Sequence, residues 1–392
     1  MLKRVLSSFF IIITAQAAEF RNSREYVGGK NFSRYGAVSQ NKEESREPQF
    51  SQELQLPIVY SKHYNISFGL VIDHLISKLH PFDLKKYQKV HAHVTDTLGI
   101  DPRQIHEPKK VTDTDLCMVH TKEYLKSLED GGTVAHAAEV SLLRLMPNSM
   151  RQKYILDPMR YATQGTVDAA LLALKHGWAV NIGGGYHHAK REKASGFCIF
   201  ADIPLAVLKV REQYPDMHVL IVDLDAHQGN GHEDFFKEDF GKPERKVYIF
   251  DMYHAEIFPA FGKNVDGTAQ FIDYAIPLSF VTDTRSYISL LTTGFHQFIE
   301  ALISKDKKPG LIIYNAGTDI WEEDAVGGLR VTKEGIIERD RVVFQEAQDR
   351  NIPIAMVTSG GYTLESANII AKSLEQILTM KNIPFTQKRQ QQ

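Results

Sequence analysis

The stretch His218-Val219-Leu220-Ile221-Val222-Asp223-Leu224-Asp225-Ala226-His227-Gln228-Gly229-Asn230-Gly231 decides how this chain is read. Its first half is a short apolar run rich in β-branched residues, the pattern of a strand buried on both faces. Its second half breaks into glycine and asparagine, residues of turns, and brings two carboxylates and an imidazole with it. A helical pattern from Ala201 to Tyr214 leads into the run. Buried parallel strands joined by helices make an α/β sheet, and such sheets bind ligands outside the carboxyl ends of their strands.

Four further runs repeat the pattern: Ala179–Ile182, Val247–Phe250, Leu311–Tyr314 and Ile354–Val357. Helical periodicity fills the gaps at Thr163–His176, Ser286–Ser304, Thr332–Arg350 and Leu364–Thr379. Gly177 is placed to stop the first of these helices and Thr332 to cap the third. The 392 residues leave room for two or three domains, but the pattern contains one core. The expectation is a single doubly wound α/β domain over residues 56–382, with a central parallel sheet and helices on both faces.

The flanks differ from this core. Met1-Leu2-Lys3-Arg4 is basic, Val5–Thr14 is largely apolar, and Ala15-Gln16-Ala17-Ala18 supplies small residues. That order predicts a signal peptide over residues 1–18 and an exported, periplasmic or secreted, mature chain. If the leader is not cleaved, the alternative is a cytoplasmic protein. The apolar run is too short to span a bilayer, and no other stretch is long and apolar enough to do so. Residues 19–55 and 383–392 are polar and without period, which predicts a flexible arm and a flexible tail.

Composition narrows the function. Lys plus Arg is 46 against 48 Asp plus Glu, a formal net charge of −2, which argues against nucleic acid held by bulk charge. The only cysteines, Cys117 and Cys198, exclude a disulfide scaffold and an all-cysteine zinc site.

The unusual residues then collect at the strand ends. Gly183-Gly184-Gly185-Tyr186-His187-His188 follows the first run, and Asn315-Ala316-Gly317-Thr318-Asp319 follows the fourth. Thr358-Ser359-Gly360-Gly361-Tyr362 follows the fifth. At an extended strand end, Asp225 and His227 point to the same side. Asp319 adds a third ligand from another strand. Three N/O donors with an open position suit catalytic zinc. A histidine of the pair His187-His188 can take and return a proton, with Asp223 and Asn230 as candidates to fix ring tautomers. The Tyr362 hydroxyl can polarise a carbonyl. No phosphate-loop pattern follows the triple glycine, and no nucleophilic serine stands in a GxSxG setting. Cys198 reads as a bystander. Gly229 and Trp321 stand where a second metal ion would need ligands, so the pattern favours one divalent metal.

The blocks GGGYHHA (183–189), GFCIFADI (196–203), VDLDAHQGNG (222–231), YNAGTDI (314–320) and TSGGY (358–362) resemble the zinc-dependent histone deacetylases. With HPFD (80–83) and PIVYSKHYN (57–65), the wording is similar to the class IV, histone deacetylase 11-like, branch. The resemblance runs from about Leu56 to Met380 and implies a single arginase/deacetylase-like domain. It implies Asp225, His227 and Asp319 as ligands of Zn²⁺, with Fe²⁺ as the alternative. His188 matches the general base and acid, His187 its electrostatic partner, and Asp223 the residue that pairs His187. Tyr362 matches the carbonyl-polarising tyrosine, while Gly196, Phe197 and Phe258 match the walls of an acyl-lysine tunnel. Asp223, Asp225, His227, Asp251 and Met252 fall where the family holds potassium, with Asp251 in place of a more usual serine. Asn230 stands where many members carry aspartate, which would make His188 less basic. Trp321 and Glu322 depart from the smaller residues often found after the aspartate ligand.

The reaction implied is hydrolysis of an acylated lysine, and the branch favours long acyl chains. Alternatives are a deacylase of acetylpolyamines or another small N-acyl amine, an acyl-lysine binding module without activity, and a two-metal ureohydrolase. The oligomeric state is not readable from the sequence.

Overall fold

In the computed structural model, residues 55–67, 83–259 and 270–385 are described, and all of them belong to one unit, residues 55–392. The expected leader (1–18), nearly all of the expected arm and the last seven residues of the tail lie outside these ranges. Eight parallel strands form one sheet in the order β2-β1-β3-β8-β7-β4-β5-β6. They are β1 (Leu56–Val59), β2 (Ile105–His106), β3 (Trp178–Asn181), β4 (Val219–Asp223), β5 (Val247–His254), β6 (Tyr274–Leu278), β7 (Leu311–Asn315) and β8 (Ile354–Val357). Every residue of β3, β4, β7 and β8 is buried. This is why each reads in the sequence as an uninterrupted apolar run rather than an alternation.

The helices, in chain order, are α1 (Lys86–Ala92), α2 (Asp113–Val119), α3 (Lys122–Ser127), α4 (Gly131–Ala137), α5 (Asn148–Arg151), α6 (Asp157–His176), α7 (Asp202–Gln213), α8 (Asn230–Phe236), α9 (Thr284–Ile303), α10 (Lys333–Asp349) and α11 (Ser366–Met380). They pack in two groups. In one, α6, α2 and α8 contact α7; in the other, α10 contacts α9 and α11, and α11 contacts α1. The grouping follows the right-handed crossover rule. The connections through α6, α7 and α8 move one way along the sheet, and those through α1, α9 and α10 move the other way, so the two groups cover opposite faces. Leu220 and Val222 of β4 share a core with Phe295 and Phe298 of α9.

Local signals explain the helix ends. The Thr332 hydroxyl accepts the Gly335 N–H, and Gly177 closes α6 with φ of 80°. The long helix extends well before the expected Thr163: α6 continues without a break from α5 through a π-helical turn at Gln152–Leu156, and Pro158, which has no N–H to donate, follows directly on that turn. Three strands were not foreseen: β1, β2 and β6. Two of them have a reason to be faint: β2 has two residues and β6 is a partly exposed edge strand carrying Pro277. β5 also runs on to His254, past the expected Phe250, through the polar Asp251. Among the described residues no helix is long and apolar enough to cross a membrane.

The direction of the connections reverses at two places, between β1 and β3 and between β4 and β7, and the residues singled out in the sequence lie at the second. β4 and β7 are neighbours, yet the chain leaves β4 toward β5 and leaves β7 toward β8, on opposite sides. This reversal of strand order opens a crevice at the carboxyl ends.

Candidate active site

Asp225 and His227 follow β4, and Asp319 follows β7, so the three stand on the two sides of that crevice. Their exposures are 1%, 6% and 0%. One ligand atom from each lies within 4.8 Å of the others. His227 Nδ1 is 3.1 Å from Asp225 Oδ1 and 2.9 Å from Asp319 Oδ2. Each carboxylate is also held from behind. Asp225 Oδ2 accepts from the Ser359 hydroxyl (2.9 Å) and the Gly360 N–H (3.0 Å), and Asp319 Oδ1 accepts from the Ala226 N–H (2.9 Å). These donors leave the remaining oxygens facing one another and His227.

The charges at this point are out of balance. Burial opposes a proton on His227, but Asp225 and Asp319 outweigh it and push the imidazole up to about 10. Burial, followed by the charge of Asp225, pushes Asp319 up to about 7. Two buried carboxylates facing one imidazole thus demand a cation, either a proton or a metal ion. Two oxygen donors and one nitrogen donor are the set expected for Zn²⁺ or Fe²⁺.

His187 and His188 enter from the turn after β3. Gly185 has φ of 81°, and a Cβ there would lie 2.3 Å from the Ser359 Cβ, so the close approach of this turn to the β8 loop requires glycine. The Asp202 carboxylate fixes the turn by accepting the Gly185 N–H (2.7 Å) and the Tyr186 N–H (2.8 Å). The two imidazoles lie 3.9 Å apart, centre to centre, but have different partners. His187 Nδ1 is 2.8 Å from Asp223 Oδ2, and His188 Nδ1 is 2.8 Å from Asn230 Oδ1. Burial opposes charge on His187, yet Asp223 and Asp225 overcome it and raise its pKa. On His188, burial is reinforced by the neighbouring His187 and His227, which hold it well below the usual imidazole value. An amide oxygen can only accept here, so His188 keeps its proton on Nδ1 and offers Nε2 as the base.

Tyr362 stands across the site, its ring centre 6.2 Å from that of His227 and 5.8 Å from that of Phe197. Burial and then the charges of Asp225 and Asp319 hold its pKa well above the usual phenol value, so it remains an O–H donor. Its N–H is anchored on Asp324 Oδ2 (2.7 Å). The loop before it, Ser359-Gly360-Gly361, is gripped by the buried Lys86, whose Nζ donates to the Ser359 carbonyl at 2.6 Å and the Gly360 carbonyl at 3.3 Å. Burial pushes the Lys86 ammonium down to about 8 against the pull of Asp319 and Asp225.

A cavity of about 120 Å³ opens beside these groups. Asp225, His187, Gly196, Phe197 and Tyr362 line it together with the aliphatic Val140, Leu143, Ile155 and Met159. Phe258 is outside its lining and packs edge-on against His188 with ring centres 4.9 Å apart. Gly196 also borders a second cavity, which Phe258 and Asn230 line. Cys198 is buried, and its thiol donates to the Gly196 carbonyl. The predicted catalytic and ligand residues, with Gly196 and Phe197 of the predicted tunnel, therefore gather around one crevice, while Phe258 packs on His188 outside the cavity. Sequence reasoning passed over Lys86, Asp202, His232 and Ser359. Ser359 and Asp202 lie inside quoted motifs and were within reach, whereas nothing in the sequence around Lys86 marks it as buried.

A family model described as a histone deacetylase domain matches residues 80–378. The chain is 41% identical over 323 residues to histone deacetylase 2 of Arabidopsis thaliana, covering 82% of this chain and 79% of that one. It is 30% identical over 306 residues to an uncharacterised protein of Picosynechococcus sp., covering 78% of this chain and 92% of the relative. Among solved structures, the HDA15 HD domain matches with a TM-score of 0.63 at 19% identity, over 83% of this chain and 92% of that one, which is a likeness of fold.

Proposed function

Given that the chain belongs to the histone deacetylase family, we propose that it hydrolyses N-acyl-lysine amides as a member of the class IV branch. One observation carries this reading. A ligand triad, an imidazole held at Nδ1 by Asn230 and a phenol lie together, and two of these residues, Asp225 and Tyr362, line one largely apolar cavity.

Asp225, His227 and Asp319 would hold Zn²⁺ or Fe²⁺, which when bound supplies positive charge to polarise the acyl carbonyl and to make water more acidic. His188 accepts a proton at Nε2 from the water that attacks the acyl carbon. Asn230 keeps that ring in the right tautomer. The Tyr362 hydroxyl donates to the carbonyl oxygen as negative charge builds there. His188 then returns its proton to the lysine nitrogen as the C–N bond breaks, leaving a carboxylate and a free amine. His187, paired with Asp223, places positive charge beside His188 and so favours early return of that proton.

The acyl group occupies the cavity. Val140, Leu143, Ile155 and Met159 make much of its lining apolar, which favours an acyl chain longer than acetyl. The test uses the purified full chain on matched acetyl-lysine, myristoyl-lysine and acetylpolyamine substrates, with and without chelator. The expected result is hydrolysis that stops on chelation and is fastest on the myristoyl peptide. Activity unaffected by chelation would defeat the mechanism, and faster turnover of polyamine would defeat the substrate assignment.

A further inference from the structure

Next to the ligand triad lies a second set of buried donors that the mechanism does not use as ligands. Asp223 ends β4 and Asp251 lies in β5, and the two are paired in register, so their side chains share one face of the sheet. His232, in the first turn of α8, folds back onto them. All three residues are 0% exposed, and one ligand atom from each lies within 4.8 Å of the others. Gly229 makes the approach possible, since a Cβ there would lie 2.1 Å from His232 Nε2 and 2.4 Å from Asp223 Oδ2.

The hydrogen bonds of this cluster are incomplete. Asp223 Oδ1 accepts from the Asp225 N–H (3.2 Å) and the Asn315 amide (2.9 Å), and Asp223 Oδ2 pairs with His187 Nδ1. Asp251 Oδ2 accepts from the Gly229 N–H (2.9 Å). Asp251 Oδ1 and both ring nitrogens of His232 have no hydrogen-bond partner among the described residues. His232 Nε2 lies 3.4 Å from Asp223 Oδ2. Buried polar atoms are rarely left unsatisfied, and three in one place, beside two carboxylates, point to a bound positive charge.

The resemblance to the family puts potassium at Asp223, Asp225, His227, Asp251 and Met252. Potassium sites are built from many oxygen donors. Here an imidazole nitrogen points into the pocket, and a second carboxylate faces the first. Imidazole with carboxylate suits divalent transition ions, and two carboxylates match a 2+ charge. We propose that Asp223, His232 and Asp251 form a second, structural site for a divalent cation of the Zn²⁺, Fe²⁺ or Mn²⁺ class in place of potassium. Because Asp223 also holds His187, filling this site fixes the carboxylate that orients that imidazole.

The test is metal stoichiometry on the full chain, which does not depend on activity. The protein is stripped with chelator, loaded with Zn²⁺ in sodium buffer, desalted and assayed by mass spectrometry for metal. Two equivalents per chain are expected, falling to one in Asp225→Ala and to one in His232→Gln. One equivalent in the parent chain overturns the proposal, as does His232→Gln retaining both. Should His232→Gln fail to fold, competition titration of the parent alone decides, with two binding events expected and one fatal. A thermal upshift of the Zn²⁺-loaded chain on adding KCl, with one equivalent of zinc bound, would restore the potassium assignment.

Discussion

At the strand ends, Asp225, Asp319 and His187 are held by backbone N–H groups and buried polar partners, each with several contacts that set its direction. Val140, Leu143, Ile155 and Met159 contribute only apolar surface to the cavity, from the segment between α4 and the first turn of α6. The first region is over-determined, since moving one side chain leaves another buried group unpaired. The second is a shaped volume that tolerates change in small steps. Chemistry and acyl selectivity therefore sit on separate parts of the fold and should separate under mutation.

The largest effect should come from the over-determined side. Asp225→Ala removes a ligand and strands the Ser359 hydroxyl and the Gly360 N–H, so deacylation should fall to the background rate and the metal of the Asp225–His227–Asp319 triad should be lost. A variant that keeps metal and turnover would show that the rim does not act as one unit. Tyr362→Phe is predicted to lower kcat by roughly 10²-fold or more with little change in KM, as for loss of one oxyanion donor. A matched loss on acetyl and myristoyl substrates would place Tyr362 with the chemistry; a loss confined to one would place it with the wall.

The wall should respond differently. Leu143→Trp adds bulk to the apolar lining of the cavity, and the ratio of myristoyl to acetyl kcat/KM should drop roughly tenfold, within the range that small changes of pocket volume produce. Acetyl turnover itself should stay within about twofold, since no ligand, His188 or Tyr362 is changed. An equal loss on both substrates would merge the two regions. The smallest effect should be Asn230→Asp. His188 is held well below the usual 6.5 by burial, His187 and His227, so the parent should stay active on the acid side of that value. A carboxylate beside Nδ1 favours the protonated ring and raises its pKa, by about one unit or more. The acid limb of the kcat/KM profile should move up in pH by that amount, with the rate on the alkaline plateau nearly unchanged.

The same division governs how much was legible in the sequence. The five central strands stand out because burial on both faces forces continuous apolar runs, and the residues just after them stand out because polar groups there break the run abruptly. Edge strands β2 and β6 lack that pressure, and β6 carries a proline that a central strand would exclude. The wall was illegible for another reason. Val140, Leu143 and Ile155 lie in turns between short elements that cannot establish a period, Met159 opens α6 ahead of the expected helix start, and all four are ordinary apolar residues. Lys86 shows the limit most sharply, since its place under the Tyr362 loop is set by tertiary packing that local pattern does not encode.

The strand order has one further consequence, for the birth of the protein. β8 is the last strand in the chain, yet it lies between β3 and β7 in the middle of the sheet. His187 and His188 hang from one side of that gap, and Asp225, His227 and Asp319 from the other. A chain emerging from the ribosome therefore carries two half-built banks with no bridge until residues near Val357 are free. Ser359 and Gly360, which clasp Asp225, arrive with the same segment. Completion of the catalytic rim thus waits for nearly the whole polypeptide, and a prematurely terminated chain is left without both its sheet and its chemistry.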